Sequence, residues 1–182
     1  MKNEQLWNQF KLCLKEYIDG TSIESFNNAW ISCSNRTLFY KKDMFPVIAM
    51  RMGLEYQVKE YLTVDATFYK KGNHKYQIPI VQIESENNID STENEIYKLC
   101  CLNAPLKILF ICCDFDEHKK HQLTEDWWSY ILSDFCKMNK LVGILGIVVA
   151  QYCEDGLSYN CFAYGEDGKL IVENEENVFI KN

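Results

Sequence analysis

Two runs of this chain alternate apolar and polar residues with a period of two: Y-L-T-V-D-A-T-F-Y over 61–69 and I-P-I-V-Q-I-E-S-E over 78–86. That is the strand period, because successive side chains leave opposite faces of a strand. Leu62, Val64, Ala66 and Phe68 share one face, and Thr63, Asp65 and Thr67 the other. In the second run Val81 and Ile83 take the apolar face, while Gln82, Glu84 and Glu86 take the polar one. The turn-like K-K-G-N-H-K between the runs makes them a hairpin. Asp65, Glu84 and Glu86 then share one sheet surface with no base interleaved. Such a cluster is costly unless water, protonation or a divalent cation relieves the repulsion.

Register decides whether these acids meet. A two-residue turn at Gly72-Asn73 pairs Asp65 with residue 80 and leaves Glu84 four positions along, about 13 Å away. A four-residue turn over Asn73 to Tyr76, or a bulge of similar effect, sets Asp65 opposite Glu84, with Cβ atoms about 5 Å apart. Only the second arrangement builds a metal site.

Around the hairpin the period becomes helical. Leu6, Phe10, Cys13, Leu14, Tyr17 and Ile18 form a stripe over 4–18 that Asp19-Gly20 ends. Ser22 predicts an N-cap for a helix from Ile23 to about Ser32, with Phe26, Ala29 and Trp30 inward. Asp43 is placed to cap a third helix over Met44 to Met52, with Pro46 in its first turn and Gly53 closing it. Thr92 and Glu95 have capping-box spacing ahead of a stripe of Ile96, Leu99, Cys100 and Asn103, and Ala104-Pro105 stops that helix. K-I-L-F-I-C-C from Lys107 and L-V-G-I-L-G-I-V-V-A-Q-Y from Leu141 read as strands buried on both faces. The helix between them is expected to start at Thr124 and to bury Trp128, Ile131, Leu132 and Phe135. Turns at Glu154-Asp155-Gly156 and Asp167-Gly168 divide two shorter strands. This order predicts an α/β (α+β) fold, a mixed central sheet flanked by helices.

At 182 residues the prior is one domain over 1–182. The longest apolar run, Leu141 to Ala150, falls short of the roughly 18 to 20 residues that span a bilayer. M-K-N-E-Q-L-W-N-Q-F lacks the apolar region of a secretory signal, so the expectation is a cytoplasmic protein with no membrane partner. Nine cysteines, an odd number with adjacent pairs at 100–101 and 112–113 and no C-x-x-C, argue against disulfides or a zinc ribbon. They read as reduced, mostly buried small hydrophobes. The net charge of −7 repels nucleic acid at long range, although local patches override such a field. Lysines cluster at Lys41-Lys42, at Lys70-Lys71 with Lys75, and at Lys119-Lys120.

V-D-A-T-F-Y, I-V-Q-I-E-S-E-N-N, E-N-E-I-Y-K-L and P-L-K-I-L-F-I, taken in order, resemble the core of the restriction-endonuclease-like superfamily, the PD-(D/E)XK nucleases. The resemblance covers residues 44–115, with helices over 4–33 before it and a helix and strands over 124–182 after it. It implies a sheet whose second and third strands carry acidic ligands for Mg²⁺ or Mn²⁺, and cleavage of DNA or RNA. By position Asp65 matches the first acid and Glu84 the second, with the Ser85 backbone carbonyl as a further oxygen ligand. Glu86 stands where the family has a lysine. A glutamate cannot stabilise developing negative charge, but it can bind metal or take a proton. Members with E-x-E here are known. Lys98 on the following helix is a candidate cation, Glu60 an accessory acid, and Lys70, Lys71 and Lys75 candidate contacts to nucleic acid. The missing lysine and the acidic balance favour the alternative, a catalytically silent nuclease fold that binds a protein partner.

The remaining groups have plainer readings. Asp114, Asp116, Glu117, His118 and His121 could bind a metal, but read as a solvated loop. Trp127-Trp128 could stack bases, yet one helix face accounts for a buried Trp128 with Trp127 at its edge. Gly143 and Gly146 lack the spacing of a nucleotide-binding loop.

Overall fold

The computed structural model of the protein describes residues 3–57, 64–73, 76–153, 156–171 and 177–181. α1 (Asn3–Gly20) buries Leu6, Trp7, Phe10, Cys13, Leu14, Tyr17 and Ile18 along one stripe. α2 (Ile23–Trp30) starts at Ser22, whose hydroxyl accepts the Ser25 N–H at 3.2 Å. Asp43 does not cap a third helix. Ser32 caps α3 (Cys33–Phe39) instead, and the chain continues through a π-helical turn, Tyr40–Met44, into α4 (Phe45–Arg51).

Proline gives this wider turn a consequence. The Phe45 N–H bonds to the Tyr40 carbonyl five residues back, so the π-spaced partner of the Lys41 carbonyl would be Pro46. Pro46 has no N–H to give. The Tyr56 hydroxyl donates to the Lys41 carbonyl at 2.6 Å instead. An oxygen that helix geometry leaves over is thereby satisfied. The same hydroxyl fixes the backbone of Lys41.

The strands are β1 (Glu55–Gln57), β2 (Ala66–Lys71), β3 (Gln77–Glu86), β4 (Leu106–Cys112), β5 (Ile144–Cys153), β6 (Gly156–Tyr164) and β7 (Asn177–Lys181). They form one mixed sheet in sequential order, with β3, β4 and β5 parallel and every other pairing antiparallel. Parallel neighbours need crossovers, which α5 (Thr92–Cys100) provides between β3 and β4. Between β4 and β5 the crossover is α6 (Glu117–His121), a second π turn (Gln122–Trp127) and α7 (Trp128–Met138). Both crossovers pack on one face around Leu109, Ile111, Leu145, Ile147 and Val149. The N-terminal helices cover the other face over Phe68, Ile83, Ile108, Phe110 and Val148. Trp7 lies directly on Gly146, where a Cβ would stand 2.5 Å from the indole, so that glycine serves packing.

Two expected caps are absent, because both helices begin earlier. Thr92 is already helical and its hydroxyl donates to the Ile89 carbonyl at 2.7 Å, behind a short turn (Ile89–Ser91) that Asn88 caps. Thr124 lies inside the second π turn and donates to the Lys120 carbonyl, four residues back. The apolar stripes placed Trp128 and Leu132 in the core, where both are buried. Among the described residues no helix is long and apolar enough to cross a membrane. The eight cysteines whose side chains are described are all free; Cys13, Cys100, Cys112 and Cys161 are buried, fewer than expected.

Candidate functional site

The register is the one that brings the acids together. Ala66 pairs with Ile83, Thr67 with Gln82 and Phe68 with Val81. A shift then leaves Ile80 extra, so that Tyr69 meets Pro79 and Lys71 meets Gln77. Proline donates nothing to a ladder, which suits an irregularity at that point. One step beyond Ala66, Asp65 falls across from Glu84.

Asp65 stands at the bend that opens β2. Its Oδ2 accepts the Ser85 N–H at 3.0 Å, doing at the strand end what a backbone carbonyl does within it. Its Oδ1 receives the Lys41 ammonium at 2.7 Å, and both side chains are about a quarter exposed (25% and 26%). Lys41 reaches this point because the π turn and Tyr56 fix its backbone. Burial raises the Tyr56 phenol, and the Asp65 charge raises it further, so the hydroxyl keeps its proton and donates it to the Lys41 carbonyl.

Glu84 leaves the sheet on the crossover face, where its side chain is only 5% exposed. Lys98 from α5 sets its ammonium 2.7 Å from Glu84 Oε1 and also pairs with Glu95, one turn earlier on the same helix. Burial pushes the Glu84 carboxyl up to about 7, against the pull of Lys98, while the charges of Asp65 and Glu95 add to the rise. Burial alone would lower the Lys98 ammonium, but its bonds to Glu84 and Glu95 outweigh that and raise it. Burial also raises Glu86; the Ser91 hydroxyl, which donates to its Oε2 at 3.2 Å, opposes this.

One row back along the same face, Thr67, Gln82 and Lys107 are neighbours across β2, β3 and β4, and all are buried. Thr67 Oγ1 and Gln82 Nε2 meet no hydrogen-bonding partner among the described residues. The Lys107 ammonium donates to the Val142 carbonyl, and burial lowers it to about 8. A polar strip therefore runs down the face of the hairpin where the apolar cover of α5 and α7 stops.

Other candidates lie apart. Lys70 and Lys71 are at the far end of β2, five and six residues from Asp65, roughly 16 to 20 Å along the strand. Lys71 pairs there with Glu55 at 3.1 Å. Glu60 and Lys75 lie outside the described residues, as does the side chain of Glu117. The segment expected to be a loop after β4 folds instead into α6: Asp116 caps it by accepting the Lys119 N–H at 2.7 Å, and His121 faces Glu125. Among the described residues no three Asp, Glu, His or Cys side chains are grouped so as to hold a metal ion. Lys41, Glu95 and Lys107 were missed as site residues. Only Glu95 carried a signal, its spacing of three from Lys98 on one helix face. No protein-family model matches the chain, and no curated protein matches it.

Proposed function

We propose that the chain is a metal-dependent nuclease of the restriction-endonuclease-like kind, cleaving phosphodiesters of DNA or RNA at Asp65, Glu84 and Glu86. The observation that carries this reading is the Lys98 ammonium, 2.7 Å from a buried Glu84 one strand away from Asp65. It supplies from α5 the positive charge that E-x-E lacks on β3. The hairpin, crossover helix and parallel strand that hold these residues support the same reading.

The donor set suits a hard divalent cation: two carboxylates and the Ser85 backbone carbonyl, all oxygen. Mg²⁺ or Mn²⁺ held there would polarise a phosphoryl oxygen and acidify a water. The protein's own groups do the rest. Asp65 retains lone pairs for a further ligand while Lys41 and the Ser85 N–H fix its plane. Glu86, held at Oε2 by Ser91, has a raised affinity for protons and acts as the acceptor for the attacking water. Lys98 stabilises charge developing on the phosphoryl group.

Replacing Lys98 with Met is expected to lower kcat about 100-fold with little change in KM, because the ammonium acts on charge that appears in the transition state. Steady-state cleavage of labelled DNA and RNA in Mn²⁺ checks this. Undiminished kcat in the variant, or no cleavage by the wild type, would sink the nuclease reading. A second reading, a silent scaffold for a protein partner, is favoured by two observations. Lys41 and Lys98 already pair with Asp65 and Glu84, and no three acids converge among the described residues.

A further inference from the structure

Arg36 in α3 is a cation fixed by neutral groups. Its guanidinium lies over the Trp30 ring, 5.6 Å from the centroid. Nε donates to Asn87 Oδ1 at 2.9 Å and Nη2 to Cys33 Sγ at 3.1 Å. The Asn87 amide in turn donates to Thr37 Oγ1 at 3.3 Å, so the brace is itself held. No carboxylate among the described residues pairs with it, although the chain has 26 acids against 19 Lys and Arg. Two of its five N–H groups are engaged, which leaves donors on both terminal nitrogens.

The position gives this charge a use. Asn87 directly follows Glu86 and lies two residues beyond Ser85, whose N–H Asp65 binds. The guanidinium is therefore at the carboxyl end of β3, the end that carries the acids. Two further cations among the described residues lie there, and each already contacts carboxylates, Lys41 at Asp65 and Lys98 at Glu84 and Glu95. A polyanion approaching these carboxylates needs a positive charge that they have not already taken up.

We propose that Arg36 anchors a backbone phosphate of the nucleic-acid strand next to the cleavage position, a role that rests on the nuclease reading above. A guanidinium pinned on an aromatic face presents its remaining N–H groups in a fixed fork, the geometry that binds phosphate bidentately. The cations of the hairpin tip, Lys70 and Lys71, are too far along β2 to share that phosphate.

The test is anisotropy of labelled DNA and RNA strands in EDTA, where nothing is cut, across a series of salt concentrations. Arg36→Ala is expected to bind roughly ten-fold more weakly and to reduce the slope of log affinity against log salt by about 1. Arg36→Gln repeats the test should the alanine variant fold poorly, as read by its circular dichroism. Arg36→Lys keeps the wild-type slope and recovers part of the affinity, since it retains the charge without the fork. Wild-type protein that binds no strand, or variants with an unchanged slope, would overturn the proposal. Thermal shifts in Mn²⁺ separate the two readings. A variant that keeps the shift while losing the strand supports the anchor. Arg36-dependent strand binding without any Mn²⁺ shift in the wild type would keep the anchor and remove the metal site.

Discussion

Glu84→Gln should make the metal-free protein more stable than the wild type above neutral pH and equally stable in acid. The folded protein holds a proton on Glu84 up to about 7, whereas the unfolded chain releases it near 4.5. Between those values the native state binds more protons, so wild-type stability falls as pH rises through that window. Below it both states are protonated, and a neutral amide is a fair copy of the acid. Above it the wild type carries a buried charge that Lys98 offsets only in part. The full difference is about 3 kcal/mol, or roughly 6 to 12 °C in Tm for a chain of this size. Urea titrations in EDTA from pH 5 to 8.5 should show the two proteins diverging with pH. A variant less stable than the wild type at pH 8 would mean that Lys98 outweighs burial.

Gly143→Ala should be among the most damaging single changes at a position with no charge and no part in the site. Gly143 has φ of 71°, where an L side chain is strained. A Cβ there would stand 2.1 Å from the Pro105 carbonyl oxygen, which accepts the Ile144 N–H at 3.0 Å. The obstruction is backbone, so no rotamer relieves it, and the bond that starts β5 beside β4 has to give. We expect a loss of about 3 to 5 kcal/mol, read as a fall in the urea midpoint. Gly53→Ala is the control: φ is 68° there too, but a Cβ would meet nothing within 4 Å, so the cost is only about 1 kcal/mol. Equal losses at the two positions would show that conformation, not the approach to Pro105, sets the cost.

The period of two in the hairpin and the nearly all-apolar runs at 107–113 and 141–152 made the sheet legible, because burial on one or both faces writes itself into composition. Caps were less legible. Asp43, Thr92 and Thr124 have the right chemistry, yet each lies inside a longer helical segment, and a cap signal cannot tell a helix start from a π turn or an earlier 3₁₀ turn. Asp65 and Glu84 could be placed on one face but not in register, since the bulge at Ile80 depends on pairing rather than on pattern. Lys41 and Arg36 reach the end of β3 only through tertiary packing, from 24 and 51 residues away, and nothing local announces them.

Uptake of a divalent cation by the acids of β2 and β3 is the central claim, and thermal melting with Mn²⁺ measures it. A ligand that binds only the native state raises stability by mass action, by about 2.7 kcal/mol at a hundred times its Kd. Wild-type Tm should therefore rise by roughly 5 to 10 °C at saturating Mn²⁺, and more at pH 8 than at pH 6, because a proton competes for Glu84. Asp65→Ala and Glu84→Ala should abolish the rise. A wild type whose Tm ignores Mn²⁺ at both pH values, or an Asp65→Ala variant that shifts as the wild type does, would contradict it.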